Sequence, residues 1–547
     1  MMPDNASMVS GNASMVSGNA AARSGDRSFA ALVPLPRRVE PGEGFLELGR
    51  DNAVAAPPGL AGAAALAAAW LGEAWAAAPG DAARTARFRA VPAGARAAAV
   101  ELLLDPAIRE DEGYVLEVGP TRVTARCATH EGAVRAASTL RQLALSAEAG
   151  PAPRLPRLRI EDSPRFPWRG AMLDCARNFF RVEFIERFLD LMALHKLDRF
   201  HWHLTDDQAW RLDLPGLPEL AAKGSRRRDL RVSVERWKEG SYSPADVRRV
   251  VACAAERGIV VVPEIETPGH AVALLASHPE LSCAGRAAGG GPFEPEDRYG
   301  VFEDILCAGN DGVFELLGRV YDGVAELFPG PWVHAGGDEA PKARWLACPR
   351  CRARMEALGL RKPDGSPDAE RLQGWFMNRV AGLLAERGKR MVGWDEILEG
   401  GVGKDAVIMS WRGESGGIEA ARAGYEAVMS PQTKACYLDH QHLDIPEEPG
   451  QLGVCTVRNS YEFDPVPPSL AEVEAARILG GQANLWSELL YFGKQVEYMA
   501  FPRLCALSEV FWSPREARDF EDFRRRLEVH GPRLDRLGVD RYRGPLD

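Results

Sequence analysis

From residue 168 onward, the sequence alternates short apolar runs with longer amphipathic stretches, and this alternation constrains the fold more than any other feature. The amphipathic stretches, for example residues 182–196 and 244–257, carry apolar residues at helical spacing. Short strands that alternate with helices are typical of a parallel sheet covered by helices. Eight strand candidates occur, at residues 169–174, 199–205, 259–265, 332–336, 391–394, 406–411, 426–429 and 480–486.

Eight βα units predict an α/β fold of the (β/α)8 TIM-barrel type over residues 165–547. A doubly wound sheet is the structural alternative, and it usually has a Gly-rich phosphate turn after its first strand. Here the first strand candidate ends in Asp174-Cys175-Ala176-Arg177, which has no such turn. The sequence therefore favours the barrel.

The chain before the barrel divides into a tail and a small domain. Residues 1–28 contain the segment NASMVSG twice, and we expect this low-complexity tail to be disordered because it cannot bury enough apolar surface. Residues 29–155 predict a small α+β domain, with alanine-rich helices at 62–78 and 131–147 between short strands.

Two local signals refine this small domain. Gly119-Pro120 predicts a turn between strands at residues 113–118 and 122–125. Residues 151–167 are rich in proline and arginine, so we interpret them as the linker to the barrel.

Charge and composition exclude several classes of function. The chain has 67 Lys and Arg against 77 Asp and Glu, a net charge of −10. We therefore expect no nucleic-acid or membrane partner, since both call for a basic patch, and no apolar run approaches the ~20 residues that span a bilayer. No signal peptide is recognisable, which predicts a cytoplasmic protein unless the start codon is mis-assigned.

Polar and aromatic residues follow the predicted strands, where barrel enzymes carry their catalytic groups. Carboxylates and an arginine can bond hydroxyl groups in fixed directions, and tryptophans offer flat faces to a sugar ring. This mixture indicates a sugar site. The strand-end segments are Asp174–Arg177, His201–Asp207, Glu264–His270, His334–Glu339, Trp394–Glu396, Trp411–Arg412, Tyr437–Asp439 and Trp486–Glu488.

The sharpest of these features is the Asp338-Glu339 pair. Two glycines precede it, so backbone and ligand can approach closely. Adjacent strand residues point to opposite faces, so the two carboxylates are not expected to form a matched pair unless the strand ends or bulges there. Glycoside cleavage needs a carboxylic acid with a raised pKa to protonate the leaving oxygen.

These motifs resemble those of family 20 glycoside hydrolases, the β-N-acetylhexosaminidases. Residues 29–155 resemble, more weakly, the α+β domain that precedes the barrel in this family. The matching stretches lie in order within residues 165–515: DCAR (174–177), KLDRFHWHLTDDQAW (196–210), PEIETPGH (263–270), HAGGDE (334–339), GWDE (393–396), SWR (410–412), YLD (437–439) and GQANLWSE (481–488).

The resemblance implies a retaining, substrate-assisted mechanism, in which the 2-acetamido group of the substrate is the nucleophile. Glu339 would be the general acid and then the base. Asp338 would hold the acetamido N–H, and Tyr437 would donate to the acetamido oxygen. Asp206 and His270 would form a hydrogen-bonded relay that tunes the pKa of Glu339.

The resemblance also implies an exo-acting enzyme without a cofactor or metal. It would remove terminal N-acetylglucosamine or N-acetylgalactosamine from oligosaccharides or glycoconjugates. The sugar would be held by Trp394, Trp411 and Trp486 around the acetamido group and by Arg177, Asp439 and Glu488 at the outer hydroxyls. One departure is visible: the family usually has Glu-Ile-Asp where this chain has Glu264-Ile265-Glu266, which bears on the placement of His270.

Two other classes of function compete with this interpretation. A metal-dependent barrel hydrolase could use His201-x-His203 with His270, His334 and Asp338, and a chelator would then abolish its activity. Packed, hydrogen-bonded histidines are the plainer explanation, since alternate strand residues share a face. A non-catalytic sugar-binding protein would keep the tryptophans but would not need the acid pair.

The cysteines predict no metal site. Cys348 and Cys351 form a lone CxxC motif, and zinc knuckles normally need a second pair close by. We expect a loop disulfide or two free thiols there. Cys283 and Cys307 flank a Gly-rich insertion and would pair with each other in an exported protein.

Overall fold

The computed structural model describes residues 31–76, 86–95, 98–146, 154–228, 237–285, 289–433, 435–445 and 447–547. The predicted tail at residues 1–28 lies outside this part of the chain. No helix among the described residues is long and apolar enough to cross a membrane.

The N-terminal part is a seven-stranded sheet with two helices. Its strand order is β1-β7-β5-β6-β4-β2-β3, and the predicted turn joins β5 and β6, where the Gly119 amide donates to the Arg122 carbonyl at 3.0 Å. The elements are β1 (Arg38–Glu47), β2 (Asp51–Ala56), α1 (Ala61–Ala76), β3 (Arg87–Pro92), β4 (Val100–Leu104), β5 (Tyr114–Val118), β6 (Val123–Cys127), α2 (His130–Leu145) and β7 (Arg154–Asp162).

The structure overturns the interpretation of residues 151–167 as a linker. Most of this segment is strand β7, which pairs antiparallel with both β1 and β5. Its alternate residues Leu158 and Ile160 are buried, whereas Arg157 and Arg159, on either side of Leu158, are partly exposed. The prediction failed because proline and arginine dominate the composition and mask this period-two pattern.

The second part is a closed barrel of eight parallel strands, which confirms the predicted fold class. The strand order around the barrel is β10-β11-β12-β13-β14-β15-β8-β9. Every predicted strand is present within about two residues. The strands are β8 (Trp168–Asp174), β9 (Arg199–His203), β10 (Val260–Thr267), β11 (Trp332–Gly336), β12 (Arg390–Trp394), β13 (Val407–Ser410), β14 (Glu426–Met429) and β15 (Ile478–Leu485).

Helices of varied length connect the barrel strands. One connection differs from the expected βα unit: β12 is followed by a 3-10 turn over Asp395–Leu398 and not by an α-helix. The main helices of these connections are α3 (Val182–Leu194), α4 (Pro244–Glu256), α5 (Gly312–Leu327), α6 (Ala369–Ala385), α7 (Ser415–Arg422), α8 (Arg503–Trp512) and α9 (Phe520–Arg536).

Shorter elements lie in the connections, mostly on the side where the strands end. The short helices are Pro218–Gly224, Val272–Ser277, Ala343–Ala347, Pro349–Ala357, Val457–Glu462, Glu472–Ala475 and Gly493–Ala500. The short strand pairs are Thr205–Asp206 with Ala209–Trp210, Arg226–Arg228 with Trp237–Glu239, and His440–Gln441 with Gln451–Val454.

The two parts of the chain meet in a buried polar network around Asp162, the last residue of β7. Its Oδ2 accepts from the Tyr114 hydroxyl at 2.8 Å and from Lys196 Nζ at 2.7 Å. Its Oδ1 accepts from Trp512 Nε1 at 2.9 Å. The N-terminal sheet is therefore fixed to the barrel through α8 and the segment that follows α3.

Candidate active site

The carboxyl ends of the barrel strands surround one cavity of about 330 Å³. All eleven residues that the sequence singled out line it: Arg177, Asp206, His270, Asp338, Glu339, Trp394, Trp411, Tyr437, Asp439, Trp486 and Glu488. Convergence follows from the fold, because in a parallel barrel every strand ends at the same face.

Sequence reasoning missed four further lining residues, Gln432, His440, Gln451 and Leu452. They lie in the long connection after β14 or on its short strands, away from a barrel-strand end. A search confined to strand ends could not find them. Gln432 lies two residues after Ser430, whose amide extends the pairing of β13 and β14 by donating to the Ser410 carbonyl.

The Asp338-Glu339 pair follows the end of β11, where the backbone turns toward the cavity. Gly336 and Gly337 have φ of +68° and +99°, conformations that favour glycine, and Glu339 itself has φ of +44°. Past the strand end the alternation of side chains no longer holds, so both carboxylates face the same cavity. Asp338 is buried, whereas the Glu339 side chain is 38% exposed.

His270 connects this pair to a second pair of carboxylates. Its Nε2 lies 3.4 Å from Glu339 Oε2 and 3.6 Å from Asp338 Oδ2. Its Nδ1 lies 2.9 Å from Asp207 Oδ2 and 3.4 Å from Asp206 Oδ1. Asp207, which sequence reasoning passed over, is thus the closer acidic partner of His270.

The pKa values of these groups differ because their surroundings differ. Burial raises the pKa of Asp338 to about 6. The hydrogen bond from His270 lowers the pKa of Glu339. Burial alone would lower the pKa of His270, but the carboxylates of Asp206 and Asp207 outweigh it and raise that pKa well above its usual value. The raised carboxyl pKa expected at this pair is therefore found on Asp338.

Arg177 also lines the cavity, and neighbouring polar and aromatic groups hold its guanidinium. Its Nη2 lies 2.7 Å from Asp206 Oδ2, and its Nε donates to Gln208 Oε1 at 2.9 Å. Its guanidinium lies 5.1 Å from the ring centroid of Trp486. Asp206 therefore lies between Arg177, at its Oδ2, and His270, at its Oδ1, whereas Asp207 makes the shorter contact with His270.

Four aromatic side chains form the walls. Trp394 and Trp486 have ring centroids 5.9 Å apart, and the rings of Trp411 and Tyr437 are nearly parallel at 6.4 Å and 14°. The indole N–H groups are fixed by carboxylates: Trp394 donates to Glu264 at 3.0 Å and Trp411 to Glu396 at 2.9 Å. The walls are therefore pre-organised apolar faces of the kind that stack on a sugar ring.

Buried polar atoms in this cavity lack protein partners. Such atoms are rare in folded proteins, because leaving them unpaired costs ~1–3 kcal/mol each. A ligand rich in hydroxyl and amide groups would satisfy them. Among the described residues, the buried side-chain atoms without a hydrogen bond include Arg177 Nη1, Asp338 Oδ1, Asp439 Oδ1 and Glu488 Oε2.

The histidines on the barrel strands, which the metal-site hypothesis would use, are instead paired with buried carboxylates. Glu264 lies 2.9 Å from His201 Nε2 and 2.6 Å from His334 Nδ1. His203 lies 3.0 Å from Asp174 and 3.3 Å from Glu266. These pairs explain the histidines as packed polar groups.

Two parts of the chain match one known protein family. Residues 166–515 match the family described as glycosyl hydrolase family 20, catalytic domain. Residues 30–163 match the same family's domain 2.

Several curated proteins are similar over most of this chain. A beta-hexosaminidase of Porphyromonas gingivalis is 42% identical, and the match covers 80% of this chain and 55% of the relative. One of Vibrio furnissii is 36% identical over 73% of this chain and 65% of its own length, so this chain spans less than two thirds of both relatives. One of Akkermansia muciniphila is 33% identical over 82% of this chain and 90% of the relative.

Solved structures are similar as well. A family 20 beta-N-acetylhexosaminidase from Streptomyces coelicolor A3(2) has a TM-score of 0.78 at 31% identity and covers 94% of this chain and 98% of its own. A mutant Streptomyces plicatus beta-hexosaminidase in complex with its product GlcNAc has a TM-score of 0.79 at 30% identity, with coverage of 95% and 97%.

Proposed function

This chain belongs to glycosyl hydrolase family 20, and on that premise we propose that it is an exo-acting β-N-acetylhexosaminidase. The family match confirms the family and the enzyme class, a glycoside hydrolase, that the motifs predicted. The observation that carries the proposal is the set of unpaired buried polar atoms in a tryptophan-walled cavity beside an acid pair.

The arrangement of the cavity supports action on a terminal sugar. Arg177, Asp439 and Glu488 all line the cavity, where they would bond the outer hydroxyls of a single residue. The acid pair lines the same cavity and would lie beside the glycosidic bond. A chain continuing past the outer hydroxyls would displace these partners, so the enzyme would cut only at the non-reducing end.

In the proposed first step, the acetamido oxygen of the bound sugar attacks the anomeric carbon as the bond to the leaving oxygen breaks. Asp338 accepts a hydrogen bond from the acetamido N–H and stabilises the positive charge of the oxazolinium. Tyr437 donates to the acetamido oxygen, and Glu339 protonates the leaving oxygen. In the second step Glu339 takes a proton from a water molecule, whose oxygen attacks the anomeric carbon. The bond between that carbon and the acetamido oxygen breaks, which restores the acetamido group and gives net retention.

The half-exposed position of Glu339 suits both of its roles. In the free site His270 keeps the Glu339 carboxyl ionised. A bound leaving group would cover this side chain and remove water from it, and desolvation raises the pKa of a carboxyl group. Glu339 would therefore acquire its proton when substrate binds, and regain anionic character once the leaving group has departed.

Hydrolysis of 4-nitrophenyl N-acetyl-β-glucosaminide and of an N-acetylglucosamine disaccharide tests the general acid. Glu339→Gln should lower kcat/KM for the disaccharide by about 10²–10⁴-fold. The loss with the nitrophenyl glycoside should be smaller, because nitrophenolate departs without protonation. Glu356→Gln, at an exposed carboxylate, is the matched control and should leave both rates unchanged. Equal turnover by Glu339→Gln and the unaltered enzyme would contradict the assignment of Glu339 as the general acid.

The choice of sugar supplies a second test. The acetamido group is the proposed nucleophile, so a 4-nitrophenyl glucoside without it should be a poor substrate, and a thiazoline analogue of the cyclised intermediate should inhibit. Comparing the N-acetylglucosaminide with the N-acetylgalactosaminide would establish the preference at C4. A strong preference for the simple glucoside would refute the mechanism.

A further inference from the structure

Four cysteines from separate parts of the chain meet in one cluster outside the residues that line the cavity. Cys283 and Cys307 lie in the connection after β10, and Cys348 and Cys351 lie in the connection after β11. The Sγ atoms are 3.8 Å apart for Cys283 and Cys351, 3.6 Å for Cys307 and Cys351, and 3.9 Å for Cys307 and Cys348. All four sulfurs lie within 4.8 Å of one another.

We propose that this cluster, Cys283, Cys307, Cys348 and Cys351, binds one structural zinc ion. Zinc in structural sites is tetrahedral, with Zn–S bonds of about 2.3 Å, and a regular tetrahedron of that size places its sulfurs about 3.8 Å apart. The separations of 3.6, 3.8 and 3.9 Å agree with that edge length. Four sulfur ligands in a tetrahedron favour zinc or iron over harder ions.

The geometry argues against two disulfides. Cys307 is almost equally close to Cys348 and to Cys351, and Cys351 is almost equally close to Cys283 and to Cys307. A disulfide requires one partner per sulfur and a bond of about 2.0 Å. All ten cysteines of the chain are free thiols in the structure. Each sulfur therefore has several near neighbours, as the ligands around a single metal ion do.

The surroundings of the cluster suit a thiolate site. Cys307, Cys348 and Cys351 are buried, and Cys283 is half-buried, so the ligands are shielded from water. Zinc would displace the thiol protons and leave a net negative charge on the four sulfurs. The guanidinium of Arg350 donates to the Ser282 carbonyl at 2.8 Å, next to Cys283, and its positive charge offsets part of that charge.

The ion would connect the two loops that carry His270 and Glu339. The Leu306 amide, next to Cys307, donates to the Pro268 carbonyl at 3.0 Å, two residues before His270. The Leu306 carbonyl accepts from Trp345 Nε1 at 2.9 Å, in the segment that runs from Glu339 to Cys348. The cluster does not line the cavity, so its role is to fix these connections and not to touch substrate.

This proposal replaces the expectation of no metal site and of a loop disulfide or free thiols at Cys348 and Cys351. The lone CxxC motif has its second pair in Cys283 and Cys307, but 41 residues separate Cys307 from Cys348. The large sequence separation between the two cysteine pairs is the reason that the sequence did not predict the cluster. The inference does not depend on the proposed hydrolase activity.

Metal and thiol content of the purified full-length chain test the proposal. We expect one zinc ion per chain by elemental analysis and ten thiols after denaturation, matching the ten cysteines. Reduced, metal-free protein titrated with Co²⁺ without oxygen should take up one ion and show the charge-transfer and intense d–d absorption of tetrahedral thiolate cobalt. Zinc should then displace the cobalt and abolish that spectrum.

Variants locate the site. Cys348→Ser and Cys307→Ser should each lose the cobalt spectrum and bind less than about a tenth of an equivalent of zinc, with a lower thermal midpoint. Cys253→Ser, on helix α4 and outside the cluster, should keep both metal and midpoint. Six titratable thiols with no zinc would show two disulfides and overturn the proposal. Iron in place of zinc, or no cobalt uptake by the reduced chain, would overturn it as well.

Discussion

At the scale of single residues, the two neighbouring acids differ because one side chain is buried and the other is not. Burial raises the pKa of Asp338 to about 6, whereas His270 holds the pKa of the half-exposed Glu339 down. Two adjacent carboxyl groups therefore have different pKa values, as the acid and base groups of active sites commonly do. His270 in turn depends on Asp207 and Asp206, which favour its charged form.

The raised pKa of Asp338 predicts a limb in the pH profile. Asp338 must be ionised to stabilise an oxazolinium, so kcat/KM for the nitrophenyl glycoside should rise as the pH increases through about 6. Asp338→Asn should lower kcat/KM by about 10²–10³-fold and remove this limb. The measurement is the pH profile of kcat/KM, which reports groups of the free enzyme. If the limb persists unchanged in Asp338→Asn, the pKa near 6 belongs to another group.

The stability of the same variant provides an independent control. Between its ordinary pKa of 3.8 and about 6, folded Asp338 holds a proton that the unfolded chain has lost. Stability therefore falls as the pH rises through this window, and above it the carboxylate costs on the order of 3 kcal/mol. Asp338→Asn should unfold at higher urea concentration than the unaltered protein at pH 7, and the difference should vanish below about pH 4. A destabilised variant at pH 7 would contradict this account.

At the scale of elements, the site depends on how the connections leave β10 and β11. His270 and Glu339, which contact each other, both have positive φ, at +47° and +44°. Non-glycine residues adopt this conformation rarely and at a cost, and such residues concentrate at functional sites. The two loops thus turn their side chains toward one another immediately after the strands end.

Gly336 is the element-scale position most sensitive to change. A Cβ there would lie 1.8 Å from Glu266 Oε2, at a φ of +68°. Gly336→Ala should therefore displace Glu266 and the loop of the acid pair, lowering kcat/KM about tenfold or more. It should also destabilise the protein by more than the ~1 kcal/mol that left-handed backbone costs an alanine. Urea unfolding and kcat/KM are the measurements.

Gly388→Ala is a matched control, since Gly388 has a φ of +69° and open space around its Cβ position. It should show only the backbone cost and normal activity. Equal losses of stability in the two variants would mean that the contact with Glu266 contributes nothing.

At the scale of the whole molecule, the N-terminal sheet and the barrel share a buried charge pair. Lys196 Nζ and Asp162 Oδ2 are 2.7 Å apart, and both side chains are almost fully buried. Removing one partner of a buried pair leaves the other uncompensated. We therefore expect the two parts of the chain to unfold together.

Lys196→Met should lower the free energy of unfolding by about 3–5 kcal/mol. Adding Asp162→Asn should recover part of this loss, because the uncompensated charge disappears. Lys494→Met, at an exposed lysine 3.6 Å from Asp540, is the control and should change stability little. Urea unfolding followed by calorimetry measures both the stability and the number of transitions. Two separate transitions in the unaltered protein would contradict a shared cooperative unit.

The amino-acid sequence is enough to predict the eight strands, their closure into a barrel and eleven of the residues that line the cavity. The reason is physical: strand and helix periods are local properties, and parallel strands necessarily bring their ends to one face. Resemblance to known motifs then supplied a role for each of those residues.

The packed structure is needed to show which distant groups meet. It placed Asp207 against His270 and made Asp338 rather than Glu339 the acid with the raised pKa. It paired Arg154–Asp162, within the segment assigned to a linker, into a sheet as β7, and it brought Cys283 and Cys307 to Cys348 and Cys351. Burial, pairing between strands and ligand geometry depend on separations in space. Segments far apart in the chain reveal those separations only once they are packed.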